Sequence, residues 1–195
     1  LVPPSTPFRE EYRGISASTY ELLDARKCSV GRYADRIFFK IEQDGKLLGI
    51  DARALNTEEK IKYLRPKGCN AKQWLYSLKH MREYKVTRAV LVEGIFDSIN
   101  IFDKLGLPIG ASYFGTNNFS QENIIQLLSL NLEYVVFLPD NDKAGLDARD
   151  KICPQIAPWL TTYYVPEEFI PEGKDAGDMS REELEYCLKN KVRFR

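Results

Sequence analysis

"VVFLPDNDKAGLDARD" (residues 135–150) runs an apolar stretch straight into two aspartates with one residue between them, then a glycine and a polar, helix-like segment. Pro139 has no backbone donor, so it discourages further pairing and ends the strand. Asp140 and Asp142 point the same way if the chain stays extended. Packed together they repel, and each would hold a proton unless a cation neutralised the pair. Hard oxygen ligands of this kind favour Mg2+ or Mn2+, and magnesium usually keeps waters and phosphate oxygens in the rest of its shell. Two acids solvated in a loop would look the same over this stretch alone, so the surroundings have to decide.

From about residue 85 the chain alternates apolar runs with amphipathic segments. "RAVLVE" (88–93) precedes "IFDSINIFDKLG", "IGASYF" (109–114) precedes "SQENIIQLLSLN", "EYVVFLP" (133–139) precedes "KAGLDARDKIC", and "TTYYVP" (161–166) precedes "SREELEYCLKN". Such a rhythm predicts an α/β fold with a parallel sheet flanked by helices. Ligands of these sheets bind beyond the carboxyl ends of the strands. Glu93 ends the first run, Gly94 permits a turn, and Asp97 falls in the first turn of the next helix. If the first and third strands are neighbours, Glu93, Asp140 and Asp142 converge. "PEGKDAGDMS" adds Asp175 and Asp178 after the last strand, with Asp178 equally suited to capping the helix that begins near Ser180. "YFGTNNFS" offers Gly115 and Thr116 at another strand end, as a ligand-approach loop or a structural turn.

The first half reads differently. "RIFFKIEQDGKLLGIDAR" predicts two strands joined at Asp44-Gly45, a dipeptide suited to a tight hairpin. "SASTYELLDA" predicts a short serine-capped helix, and "NAKQWLYSLKHMREY" a helix with Trp74, Leu75, Leu78 and Met81 on one side. This half is a smaller, basic α+β subdomain. Net charge over the 195 residues is zero, yet residues 1–90 hold 18 Lys and Arg against 11 Asp and Glu, and residues 91–195 hold 10 against 17. Nine basic residues and one acidic one fall between 60 and 88. That asymmetry points to an anionic partner, although a solvated face has the same composition.

With 44% hydrophobic residues the chain can bury a core as one domain or two packed subdomains. No apolar run approaches a membrane span, and the opening "LVPPSTPFREEYRG" has no signal-peptide core, so a soluble, cytoplasmic protein without membrane partners is expected. The opening at Leu1, without an initiator methionine, suggests a piece of something longer. Cys28, Cys69, Cys153 and Cys187 are too far apart for a C-x-x-C pair, so no zinc is expected in this segment and reduced thiols are. His80 is the only histidine, a poor basis for a triad.

"VEGIFDSINI", "FGTNNFS", "FLPDNDKAG" and "GKDAGD", in this order, resemble the TOPRIM domain, with its E-G-x-x-D, small-residue turn, D-x-D-x-A-G and K-D-x-x-D-like loop. The resemblance implies a TOPRIM-type sheet over residues 85–195 in which Glu93, Asp97, Asp140, Asp142 and Asp175 bind one or two Mg2+ or Mn2+ ions, with Asp178 a less close match. "YRGIS", "DRIFFKIEQDGKLLGIDAR" and "KYLRPKG" look like the basic subdomain, here residues 1–84, that precedes TOPRIM in DnaG-type primases and phage primase-helicases. Together the matches cover roughly residues 8–190. By resemblance Arg53 and Lys62 sit near nucleotide or template, Lys62 also serves catalysis, and Arg13, Arg36 and Lys72 match more loosely. The implied activity is synthesis of short RNA primers from ribonucleoside triphosphates on single-stranded DNA, in bacterial or host cytoplasm. Implied partners are a replicative helicase and a separate zinc-binding template-recognition module, since neither a P-loop nor a zinc ribbon is present. Either the segment is a catalytic core cut from a longer chain, or a partner supplies template recognition. TOPRIM also occurs in nucleases and topoisomerases, so a metal-dependent nuclease or a non-catalytic DNA-binding scaffold are the alternatives. A topoisomerase would need a tyrosine in an additional domain. A D-x-D glycosyltransferase would not explain Glu93-Gly94-x-x-Asp97.

Overall fold

The computed structural model describes residues 2–195; Leu1 lies outside the described residues. In chain order its elements are β1 (Thr6–Pro7), α1 (Ala17–Leu22), β2 (Arg26–Cys28), β3 (Arg36–Gln43), β4 (Lys46–Ala54), β5 (Tyr63–Leu64), α2 (Leu78–Glu83), β6 (Arg88–Val92), α3 (Ile95–Leu105), β7 (Gly110–Ser112), α4 (Gln121–Leu128), β8 (Tyr134–Phe137), α5 (Lys143–Ile156), β9 (Thr162–Tyr164), α6 (Arg181–Lys189) and β10 (Val192–Arg193). The sequence reading divides the chain at 84/85, where the rhythm changes; the compact units divide between Asn70 and Ala71.

The first unit is built on an antiparallel sheet in the order β1-β2-β3-β4-β5. Its central hairpin turns at Asp44 and Gly45, whose φ values of 49° and 75° are the paired positive angles a two-residue turn demands. Phe38, Ile50, Ala52 and Cys28 form a small apolar cluster on one face, with Tyr33 against it. On the other, Phe39 meets Tyr20, whose ring in turn meets Phe8 edge-on at 5.2 Å. Tyr20 lies on α1, which Ser16 caps through a bond from the Thr19 N–H to its Oγ, as the sequence predicts.

The second unit carries the larger core and a five-stranded sheet in the order β10-β9-β8-β6-β7. The pairs β6·β7, β6·β8 and β8·β9 are parallel, and only the two-residue edge strand β10 runs antiparallel. Val90, Leu91, Val92, Val135, Val136 and Phe137 are all buried, which is why these strands read as continuous apolar runs rather than alternating ones. Helix starts carry the expected chemistry: Ser120 with Asn123 at α4 and Ser180 with Glu183 at α6 form reciprocal capping boxes.

One expected element is different. The helix predicted over residues 70–84 is instead a 3-10 turn at Ala71–Gln73, a buried irregular stretch, and the short helix α2. Trp74, Leu75 and Tyr76 are consecutive and all buried, which a one-sided helix cannot achieve. The Tyr76 N–H donates to the Ser112 carbonyl at 3.0 Å, Asn123 Nδ2 donates to the Trp74 carbonyl at 2.8 Å, and Ser77 breaks the stretch at φ 79°. Tertiary hydrogen bonds here replace the local helical ones.

Candidate active site

The register of the parallel sheet decides which polar residues meet. Leu91 pairs with Phe137, and the Leu138 N–H donates to the Leu91 carbonyl at 3.0 Å, so β6 and β8 end side by side. Glu93 and Asp140 therefore leave the sheet at the same edge. On the other side of β6, Ser112 Oγ donates to the Glu93 carbonyl at 2.9 Å and the Tyr113 N–H to the Val92 carbonyl, so the end of β7 joins them. The neighbour relation expected of the first and third strands holds.

Electrostatics follow from that crowding. Burial, and then the charges of Glu93, Asp175 and Asp142, push the Asp140 carboxyl up to about 7. Burial and the charge of Asp142 also raise Glu93. Burial first, then Glu93, Asp140 and Asp97, push the Tyr113 hydroxyl far above its ordinary range, so this buried phenol stays protonated beside the acids.

Three glycines explain how the motifs close around these groups. Asp97 Oδ2 accepts from the Gly94 N–H at 2.7 Å, and a β-carbon on Gly94 would stand 2.8 Å from that oxygen. A β-carbon on Gly177 would sit 2.8 Å from Asp97 Oδ1 and 3.0 Å from Asp175 Oδ1, so the bare glycine lies where two carboxylates approach each other. Asp142 caps α5 by accepting from the Gly145 N–H at 2.8 Å, and a β-carbon on Gly145 would collide with the Asp140 carbonyl and stand 2.9 Å from its nitrogen. Glycine to alanine inside a helix ordinarily stabilises by about 1 kcal/mol. Gly145→Ala is expected to do the reverse, costing roughly 1–3 kcal/mol by overpacking, and a thermal melt reads the sign.

Gly115 sits at φ 107°, where an added β-carbon would stand 3.8 Å from Glu93 Oε1, and Thr116 opens the 3-10 turn Thr116–Asn118 beyond it. Asp178 is exposed, and its N–H donates to the Asp175 carbonyl at 3.1 Å. It is not the cap of α6, because Ser180 takes that place.

Two asparagines that sequence reasoning passed over hold the acidic loops. Asn100, 1% exposed, donates through Nδ2 to the carbonyls of Ala176 and Met179, both at 2.8 Å, pinning the Asp175–Asp178 loop to α3. Asn141 Nδ2 donates to the Ile170 carbonyl at 2.9 Å and ties the Asp140–Asp142 turn to the segment after β9. The signal for Asn100 is its place one helical turn after Asp97 and between Ile99 and Ile101, where a buried polar side chain needs a partner. Asn100→Ala should cost about 1–3 kcal/mol by leaving two buried carbonyls unpaired, and should raise amide exchange over residues 175–179 before elsewhere.

The basic candidates divide between the units. In the first, Lys62 is exposed just before β5, and Arg53 lies over the Tyr63 ring at 4.7 Å. Arg36 is 6% exposed and donates through Nη1 to the Lys62 carbonyl at 3.3 Å, so it braces the Lys62 segment. Arg13 occupies a left-handed position at φ 55°. Lys72 belongs to the second unit, exposed, with its carbonyl accepting from Ser120 Oγ at 2.6 Å.

Among the described residues no three His, Cys, Asp or Glu side chains close around one point as a finished metal shell. Magnesium is commonly held by one or two carboxylates, with water and substrate phosphate completing the shell, so a partial set of oxygen donors suits it better than a closed cage would. Asp140, raised to about 7 by burial and then by the charges of Glu93, Asp175 and Asp142, is the carboxyl whose ionised form a nearby cation would most relieve.

No protein-family model and no curated protein sequence matches this chain. Solved structures do. A DNA primase domain from Pseudomonas aeruginosa superposes with TM-score 0.69 at 24% identity, over 91% of this chain and 60% of that one. The DnaG primase catalytic domain bound to ssDNA gives 0.76 at 20%, over 93% and 69%. The RNA polymerase domain of Mycobacterium tuberculosis primase DnaG gives 0.57 at 20%, over 86% and 60%. The chain thus shares the mixed α/β fold of DnaG primase catalytic domains and spans about 60–70% of the lengths of those chains. No helix among the described residues is long and apolar enough to cross a membrane.

Proposed function

We propose that this chain is the catalytic core of a DnaG-type primase, with a TOPRIM domain that makes short RNA primers on single-stranded DNA from ribonucleoside triphosphates. The observation that carries this reading is the crowding of Glu93, Asp140, Asp142 and Asp175 beyond the carboxyl ends of two adjacent parallel strands, where Asp140 is held near neutrality. The shared fold supports it, as does the ssDNA bound to one of the similar domains.

In this reading Glu93, Asp140 and Asp142, with Asp175 and the more exposed Asp178, would hold one or two Mg2+ or Mn2+ ions. Such ions supply Lewis-acid activation of a 3′-hydroxyl and neutralise the phosphates that react and depart. The chain's own residues do the rest. Asp142 can offer one oxygen outward because its other accepts from Gly145. Asp97, 6% exposed and bonded to Gly94, orients the turn that presents Glu93 and acts as a positioning residue. Gly115 lets a nucleotide approach Glu93 without a side chain in the way. Lys62, Arg53, Lys72 and, less directly, Arg13 and Arg36 serve triphosphate or template, an electrostatic role that weakens as salt rises. A replicative helicase and a zinc-binding template-recognition module are the expected partners in the cytoplasm.

Incubation with single-stranded DNA, labelled ribonucleotides and Mn2+ should yield short RNA products with the template intact. Cleavage of the DNA without nucleotides would identify a TOPRIM nuclease instead, and neither product would leave a DNA-binding scaffold. Lys62→Ala is expected to weaken use of nucleotide or template and to lower the slope of log affinity against log salt by about 1 if Lys62 meets a phosphate. Unchanged kinetics and an unchanged slope would remove it from the site.

A further inference from the structure

A second concave site lies at the opposite ends of the same strands. Arg88 opens β6 and Tyr134 opens β8, and with Val90 and Val136 they face a cavity of about 330 Å3 closed by Leu105, Leu107 and Ile109 on one side and by α6 on the other. Val90, Ile109 and Val136, each 1% exposed, form its sealed base, and the apolar surface open to a ligand belongs to Leu105, Leu107, Tyr134 and Leu188. About 300 Å3 is where small-ligand sites begin.

The rim carries charge of one sign. Arg88, Arg181, Lys189 and Lys191 line the opening against one acid, Glu185. Glu185 is taken up by Arg181 at 2.8 Å. Lys191 Nζ donates to the Leu188 carbonyl at 3.1 Å and lies 5.5 Å from the Tyr134 ring centre, at the lip. Arg88 and Lys189 make no side-chain hydrogen bond or ion pair among the described residues. Lys189, in the last turn of α6, also complements that helix end. Arg88 opens a strand, and no helix end accounts for it.

We infer that this cavity binds a small amphiphilic carboxylate, its apolar body on Leu105, Leu107 and Leu188 and its anionic head between Arg88 and Lys189. The body leaves water for the leucine lining, and two unpaired cations at the mouth select a carboxylate over an alcohol or amine of the same shape. The site takes no part in the proposed primer chemistry, so it stands or falls separately.

The test uses octanoate, octanol and octylamine on the whole chain with methyl-labelled Val, Ile and Leu. Octanoate should shift the methyl resonances of Leu105, Leu107 and Leu188 saturably and bind at least about tenfold more tightly than octanol, with octylamine silent. Arg88→Glu, at an exposed strand start, should bring octanoate down to the affinity of octanol. Leu107→Trp at the exposed lip should close the site and abolish binding without touching the core. No saturable shift at millimolar octanoate would overturn the inference. So would equal binding of octanol and octanoate, persistence in Leu107→Trp, or a response only to an acidic peptide with aliphatic side chains, which would make the surface a protein-docking site.

Discussion

Asp140→Asn is expected to abolish primer synthesis while leaving the fold intact. Loss of an outer-shell partner in a metal site typically costs about 10–100-fold in metal affinity or activity, and conversion of a direct carboxylate ligand to a neutral amide should exceed that. The same substitution removes the charge that Glu93, Asp142 and Asp175 repel. In EDTA at pH 8 the variant should therefore melt no lower than the parent, and each 1 kcal/mol of relieved repulsion should add about 2–4 °C. Loss of synthesis with a retained or raised melting temperature separates a site defect from a folding defect. Asp150→Asn, which removes an exposed partner of Arg149, serves as the control and should synthesise normally. Undiminished synthesis by Asp140→Asn would sink the assignment.

The second large effect is linkage between pH, divalent ions and stability. Asp140 ordinarily titrates near 3.8 and in the folded chain near 7. The native state therefore holds a proton that the unfolded chain has released, so this stabilising contribution is complete below about 3.8 and is lost as pH rises through 7. Glu93 and the buried Asp51 are raised in the same direction, Asp51 by burial that outweighs Arg65 at 2.6 Å. Metal-free protein should thus lose stability between about pH 4 and pH 7. Mg2+ at a hundredfold excess over its Kd should return about 2.7 kcal/mol at pH 8, roughly 5–10 °C in melting temperature, and almost nothing at pH 5, where protons compete. Asp140→Asn should erase most of that difference. A melting temperature indifferent to Mg2+ at pH 8 would refute metal binding independently of any assay for RNA.

Much of this protein was legible as a string of residues. Continuous apolar runs punctuated by amphipathic segments are what a parallel sheet buried on both faces requires, and all four strands and four helices of that stretch lie where the runs are. Asp44-Gly45 and Ser16 declare a hairpin and a helix start because both depend on a few adjacent residues. The glycines of the three acidic motifs were visible, but the contacts that require them were not: Gly94, Gly145 and Gly177 have Asp97, Asp140 and Asp175 atoms pressed against them.

What adjacency in the chain cannot reveal is register and partnership. The pairing of Leu91 with Phe137, which brings Glu93 beside Asp140, is a property of strand order in the folded sheet. Asn100 reads as a polar residue of no stated purpose until the carbonyls of Ala176 and Met179 arrive from the far end of the chain. The segment around Trp74 has helical spacing, yet burial of three successive side chains and bonds to Ser112 and Asn123 outweigh a single turn of helix. Local backbone preference and hydrophobic period are written residue by residue, so sequence specifies the elements and the chemistry they carry. The pKa of a carboxylate or the satisfaction of a buried amide depends on atoms distant in the chain, and folding alone sets those distances.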